Sequence, residues 1–282
     1  MNILQLISVL ELGLIFGLVS IAVYLTFKVI DFADLTVDGS FPLGAAITTS
    51  LIVVDTNPIV ATLIAIFAGG LAGIVTAYLH VRFKMIGLLA GILTMTALYS
   101  VNLRIMGRPN IALMDEVTLF SSQNALLLVG IIVILLACII AYFLNSEFGL
   151  AIRASGVNGK VAGAYGINVG RMKIITLAIS NAIVALAGSL FAQMQGFADI
   201  SMGTGTVIVG LASVIIGGTI MPSKNILFAL IACLMGSILY RFAIAVALNF
   251  NEIGLQASDL NLITAALVAG TMIIPQLKRG SK

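Results

Sequence analysis

Apolar runs of membrane-crossing length follow one another along this chain with little between them, and no water-soluble fold can bury so many. A hydrocarbon layer about 30 Å thick is crossed by roughly 20 apolar residues of helix. Nine stretches approach that length: 5–27, 41–55, 59–79, 86–105, 124–144, 174–195, 205–221, 226–248 and 260–276. The second and seventh are short and contain glycine. Of 282 residues, 61% are hydrophobic and 9% charged, against about 25% charged in an ordinary soluble domain. The expected fold class is therefore all-α, a polytopic transmembrane helical bundle of about nine spans forming one domain over residues 1–282. A soluble enzyme, a nucleic-acid reader and a disordered linker are excluded together. The first run lacks both a basic N-terminal flank and a small-residue cleavage site, so it is expected to remain as a span.

The net charge of +3 comes from Lys and Arg gathered in a few loops. Lys and Arg near span ends stay on the cytoplasmic side. With the N-terminus outside and the C-terminus inside, only Arg104, Arg108 and Arg241 of the 14 basic residues face outward, which leaves 14 − 3 = 11 inside. That is the predicted orientation in the cell membrane. Glycines recur at four-residue spacing in Gly13 and Gly17, Gly69 and Gly73, and Gly87 and Gly91. Such pairs let helix backbones approach in lipid, either within one subunit or along a dimer seam. Cys138 and Cys233 lie inside apolar runs and read as reduced packing residues. A single histidine, His80, leaves no basis for a histidine metal site or a Ser-His-Asp triad.

An internal repeat is visible. Phe32-Ala33-Asp34-Leu35-Thr36-Val37 recurs as Phe197-Ala198-Asp199-Ile200-Ser201-Met202, an offset of 197 − 32 = 165 residues. Each copy follows a long apolar run and precedes a short one. The predicted topology turns the first copy inward and the second outward, which describes an inverted repeat with halves at about 5–145 and 173–276. Transporters use such repeats, with interrupted helices at matching positions, to line one pathway. Asp34, Thr36, Asp38, Asp199 and Ser201 are the candidate residues there, and they would either cap broken helices or meet the solute. Asn102, Asn181, Gln193 and Gln195 are further polar groups in or near spans, and Glu11 and Arg241 are ionisable groups inside them.

The longest inner loop, 146–172, carries small residues spaced to share one helical face: Ala154, Val157, Val161, Ala162 and Tyr165. A small-residue helix beneath a membrane, closed by Gly166, suits a groove on a partner protein better than lipid. Gly149, Ala151, Arg153, Ala154, Gly166, Ile167 and Arg171 stand in the order of the G-x-A-x-R-A, short helix, G-I, basic pattern. The loop thereby resembles the cytoplasmic coupling region of permease subunits of ABC importers of the branched-chain amino acid and ribose type. Residues 31–45 and 209–225 resemble that family's first interrupted segment and its Gly-Gly region, and the likeness extends over about 5–275. Residues 101–110, VNLRIMGRPN, are similar to a subgroup in which one permease serves both halves of the transporter.

The resemblance implies an importer of a small solute, an aromatic or branched-chain amino acid. It implies a homodimer resting on two cytoplasmic ABC ATPase subunits and fed by an extracytoplasmic solute-binding protein. Arg153, Ala154, Asn158, Ala162 and Gly166 would contact the ATPase. In the outer loop 106–123, Arg108, Asp115 and Glu116 are either docking charges for the binding protein or a solvated loop. The chain has no G-x-x-x-x-G-K-[ST] phosphate loop, so no cofactor is expected in it, and ATP and Mg²⁺ would belong to the partner. It is not expected to be an enzyme by itself. Two other transport classes are weighed against this. An ion-coupled secondary transporter shares the inverted repeat but usually shows more ionisable residues within its spans. A channel would need a repeated filter or a charged ring, and the sequence has neither.

Overall fold

The computed structural model describes residues 3–114, 116–121, 124–223, 225–249 and 269–270. Helix α1 (Ile3–Val23) passes into a π-helical turn (Tyr24–Val29), then an extended stretch leads to α2 (Val37–Ile52). Next come α3 (Pro58–Phe83), α4 (Gly87–Met106), a short strand β1 (Asn110–Ala112) and α5 (Ala125–Asn145). The inner loop holds α6 (Glu147–Val157) and α7 (Gly159–Ala164), followed by α8 (Val169–Gln195), strand β2 (Phe197–Asp199), α9 (Thr206–Ile220) and α10 (Ile226–Asn249).

Local chemistry sets these ends. Asn57 accepts the Ile59 N–H and Pro58 opens α3, while Lys84 closes it in the left-handed region. Ser146, Asn158 and Asn168 accept backbone N–H groups at the starts of α6, α7 and α8. Six helices among the described residues are long and apolar enough to cross a membrane: α1 with its π-helical turn, α3, α4, α5, α8 and α10. The expectation of about nine differs for stated reasons. The second and seventh runs form the short helices α2 and α9, of 16 and 15 residues, and the run 260–276 lies outside the described residues except 269–270. Among the described residues the all-α expectation is modified only by β1 and β2, an antiparallel pair with Asn110 opposite Asp199.

Helix α8 is the hub. It packs on α3, α2 and α1, and backbones touch because glycines allow it. A methyl group at Gly44 would run into the Ala185 carbonyl, and one at Gly188 into that of Phe41. The three predicted glycine pairs all serve packing within the chain: Gly13 and Gly17 on Ile238 and Leu234, Gly69 and Gly73 on α8, and Gly87 and Gly91 on Phe32 and Leu35. Phe16, Phe41 and Phe191 form an aromatic cluster between α1, α2 and α8. By contrast α5 turns Leu127, Ile131, Ile134, Leu135 and Ile139 outward, the face a lipid-immersed helix presents.

The contacts also fix directions. Ser40 meets Asn181 and Thr48 meets Ser189, so α2 runs parallel to α8. Ser180 meets Ala22 and Phe191 meets Phe16, so α1 runs against α8. Gly210 lies on Val19 and Val23 while Val214 to Met221 share a cavity with Tyr24 and Lys28, so α9 runs with α1. Helices α2 and α9 therefore point in opposite directions, and they start from the same place.

Candidate functional site at the junction of the two repeat copies

Helix α9 begins at Gly205, a left-handed residue that offers no side chain to cap the exposed N–H groups. The cap comes from the other half of the chain. The carboxylate of Asp38 accepts the N–H of Gly205 at 3.0 Å and that of Val207 at 2.8 Å. Pro42 in α2 has no N–H, which frees the carbonyl of Asp38 one turn back. Gly203 sits so close that a methyl group there would strike that carbonyl and the Pro42 ring. The first turns of the two short helices are thus locked together.

The repeated Asp residues act one step earlier than expected. Oδ1 of Asp34 accepts the Thr36 N–H at 2.9 Å, and Oδ1 of Asp199 accepts the Ser201 N–H at 2.8 Å. Both copies make the same tight Asx turn. Neither Asp caps its following helix directly; Asp38 takes that role for α9. Their surroundings differ. Asp34 is 3% exposed, and Asn181 on α8 donates to its Oδ2 at 2.7 Å while accepting from Ser40 at 2.7 Å. The buried Thr36 hydroxyl bonds that of Thr76 at 2.7 Å. Asp199 is partly exposed in β2, where the Ser201 hydroxyl holds its carboxyl below the usual carboxylate range, helped by the Ser201 N–H and by Asn110. The two copies lie at opposite ends of α4: Phe32 packs on Gly87, while β2 pairs with β1 just beyond Met106.

Between them opens a cavity of about 280 Å³, near the lower end of small-molecule pockets at roughly 300–1,000 Å³. Helix α2 contributes Asp38, Gly39 and Pro42, and α4 contributes Met95, Thr96, Tyr99 and Asn102. The second copy and its turn add Ile200, Ser201 and Thr204. Asn102 is fully buried. Its Nδ2 donates to the Gly39 carbonyl at 3.2 Å, and its Oδ1 has no partner among the described residues. A buried acceptor left unpaired costs about 1–3 kcal/mol. Of the five candidate pathway residues, then, Asp38 and Ser201 line the cavity, whereas Asp34, Thr36 and Asp199 are not in its lining. Sequence reasoning passed over Thr96 and Tyr99, although polar residues at 96, 99 and 102 fall at helical spacing within an apolar run.

Asn181 and Gln193 join helices. Gln193 donates to Thr62 and Ser189 and accepts the Leu119 N–H. Lys173 donates to His80 Nε2, whose Nδ1–H donates to the Met85 carbonyl, and so ties α3 to α8. Arg241 lays its guanidinium over the Phe16 ring at 3.7 Å, a cation–π contact, and its buried Nε has no hydrogen-bond partner among the described residues.

The inner loop does not form one helix. Asn158 breaks it, accepting the N–H groups of Lys160 and Val161 at 3.1 Å each, and is a capping residue. Ala154 is exposed, as are Val157 at 89% and Tyr165 at 83%. Arg153 is half-buried and Gly166 closes α7 with φ of 84°. Ala162 departs from the expected shared face: at 3% exposed it points into the protein, because the break at Asn158 rotates α7 relative to α6. Helix α6 is pressed on the π-helical turn at Gly156, where a methyl group would strike the Val29 carbonyl. In the outer loop Arg108 is exposed and Glu116 partly so, while Asp115 lies outside the described residues. Pro109 next to Arg108 accepts the Ile200 N–H at 3.0 Å, which fastens this loop to the second copy.

A family model described as "Branched-chain amino acid transport system / permease component" matches residues 5–275. A tyrosine transport system permease protein of Clostridioides difficile is 40% identical over 263 residues, 93% of this chain and 88% of that one. An uncharacterized protein of Rickettsia prowazekii is 36% identical over 270 residues, covering 93% and 94%. The ribose import permease protein RbsC of Haemophilus influenzae is 28% identical over 277 residues, covering 93% and 82%. No solved structure matches.

Proposed function

The chain belongs to the branched-chain amino acid transport system permease family, and we propose that it is the permease subunit of an ATP-driven importer of a small solute, an aromatic or branched-chain amino acid. The observation that carries this reading is the junction cavity between α2, α4 and the turn that opens α9, at the point where two short helices start together and run in opposite directions. The similarity to a tyrosine transport system permease supports an amino-acid solute. In this reading about nine spans form two inverted halves, with the N-terminus outside and the C-terminus inside, and two copies pair around the pathway. Two ATPase subunits hold ATP and Mg²⁺ and engage α6 and α7, where Ala154, Val157, Val161 and Tyr165 are exposed. Arg153 and Asn158 shape that surface, Gly166 ends it, and Ala162 supports it from inside. An extracytoplasmic binding protein docks at the outer loop through Arg108, Asp115 and Glu116. Alternating access follows as ATP-driven closure of the partners tilts the halves about the junction.

A second reading, an ion-coupled secondary transporter, is favoured by one feature: the carboxylate of Asp34 is buried and has no cation within ion-pair distance among the described residues. One experiment separates the two. The chain is purified in mild detergent from cells that also express its ATPase, and the ATPase is expected to copurify and to confer ATP-dependent uptake. Uptake driven by an ion gradient from the permease alone would support the second reading and refute the first.

A further inference from the structure

The junction cavity brings together a carboxylate, an unpaired carboxamide oxygen and the hydroxyls of Thr96, Tyr99, Ser201 and Thr204. The Asn102 carboxamide is fixed because its NH₂ donates to the Gly39 carbonyl, which leaves Oδ1 without a hydrogen-bond partner among the described residues. Each oxygen of Asp38 takes one backbone N–H and keeps a second acceptor position. Two of the four hydroxyl protons are already used: Thr96 donates to the Ile92 carbonyl at 2.7 Å, and Ser201 donates to Asp199. No Lys, Arg or His is among the described residues that line the space. A carboxylate and an orphaned carboxamide oxygen around 280 Å³ make a site rich in acceptors and short of positive charge.

From this we infer that the cavity is the permease's own recognition site for a primary ammonium group, held between Asp38 and the Oδ1 of Asn102. The inference rests on the amino-acid reading above and adds how the solute is recognised. An –NH₃⁺ group supplies three donors and one charge; it satisfies Oδ1, neutralises Asp38 and leaves the two helix caps in place. A neutral sugar brings no charge. A solute carboxylate meets the like charge of Asp38 and no cationic side chain here, so it stays toward the cavity mouth and contributes little to binding in this position. The site therefore selects for the amine end of an amino acid and tolerates its side chain.

The test uses the full chain in lipid nanodiscs and radiolabelled L-tyrosine, displaced by tyramine, N-acetyl-L-tyrosine or ribose. Tyramine, which keeps the amine and lacks the carboxylate, is expected to compete as well as L-tyrosine or better. N-acetyl-L-tyrosine and ribose are expected to compete at least about tenfold more weakly. Asn102→Leu and Asp38→Asn are each expected to weaken L-tyrosine and tyramine alike. Equal competition by N-acetyl-L-tyrosine, or no displacement by tyramine, would overturn the inference on the wild-type protein, whether or not the variants fold. ATP-dependent uptake of L-tyrosine by the complete transporter keeps the two levels apart. If it persists while N-acetyl-L-tyrosine is taken up equally well, ammonium recognition falls and amino-acid import stands; if the wild type takes up no amino acid, the functional reading itself falls.

Discussion

The carboxylate of Asp38 in α2 accepts the backbone N–H of Val207 in α9 at 2.8 Å, so a residue from one half of the chain caps a helix of the other. Glycine at position 205 makes this dependence complete, since α9 has no capping side chain of its own. Asp38→Ala should cost about 1–3 kcal/mol through two unsatisfied N–H groups. Asp38→Asn, which keeps one carbonyl oxygen, should cost less. Thermal unfolding in detergent reads the difference, and equal losses would contradict the capping role.

The bonds of Asn181 predict a strong asymmetry. Asn181→Ala removes the donor to buried Asp34 and the acceptor for Ser40 together, whereas Ser40→Ala removes a single neutral donor. We expect a loss of about 3 kcal/mol for the first and about 1 kcal/mol for the second. The double variant should be no worse than Asn181→Ala alone by more than a few tenths of a kcal/mol, as shared partners require. Additive losses would show that the two side chains act separately.

Contact between α6 and the π-helical turn gives the inner loop a hold on the junction. Gly156→Val places a side chain against the backbone of Val29 and Ile30, which cannot yield as a side-chain end can. The variant should still insert and bind its ATPase, but with several-fold less solute moved per ATP hydrolysed. Gly130→Ala, in open surroundings on α5, should behave as wild type. A normal ratio in Gly156→Val would rule out this route of coupling.

Asp199 links stability to pH. Its carboxyl is held below the ordinary range by the Ser201 hydroxyl, so its contribution is complete above the unfolded value of about 3.9. That contribution is lost as pH falls from there through the lower folded-state value. Wild type should exceed Asp199→Ala in melting temperature at neutral pH, and the gap should close on acidification over that interval. A gap that is constant with pH would mean that the charge is not involved.

Sidedness is open to direct labelling. In a chain with Cys138 and Cys233 replaced, Lys160→Cys on exposed α7 should react with an impermeant maleimide only after the cell membrane is opened. Reaction in intact cells would invert the proposed orientation.

Much of the architecture was legible because lipid imposes long apolar helices and leaves few places for charge. The glycine pairs announced close helix contacts, and each was found within the chain. The two Phe-Ala-Asp copies announced interruptions, and both make the same Asx turn. What escaped was anything set by distant partners. Asp38 resembled an ordinary helix-start residue until Gly205 was brought to it across 167 residues of chain. Ala162 fitted a continuous helical face and lost it to the cap at Asn158. Thr96 and Tyr99 were passed over because a hydroxyl in an apolar helix usually bonds its own backbone, as Thr96 does. Only the cavity between α2, α4 and the second copy gives that face a role.

The central claim is that this permease moves an amino acid through the junction with energy from a separate ATPase. It is tested most directly in proteoliposomes containing the chain and its ATPase, by measuring labelled L-tyrosine uptake with ATP on the side that bears α6 and α7. The account predicts uptake that requires ATP on that side, requires the binding protein on the other, and falls at least about tenfold in Asp38→Asn. Uptake that proceeds without the ATPase, or that follows an imposed ion gradient, would contradict it.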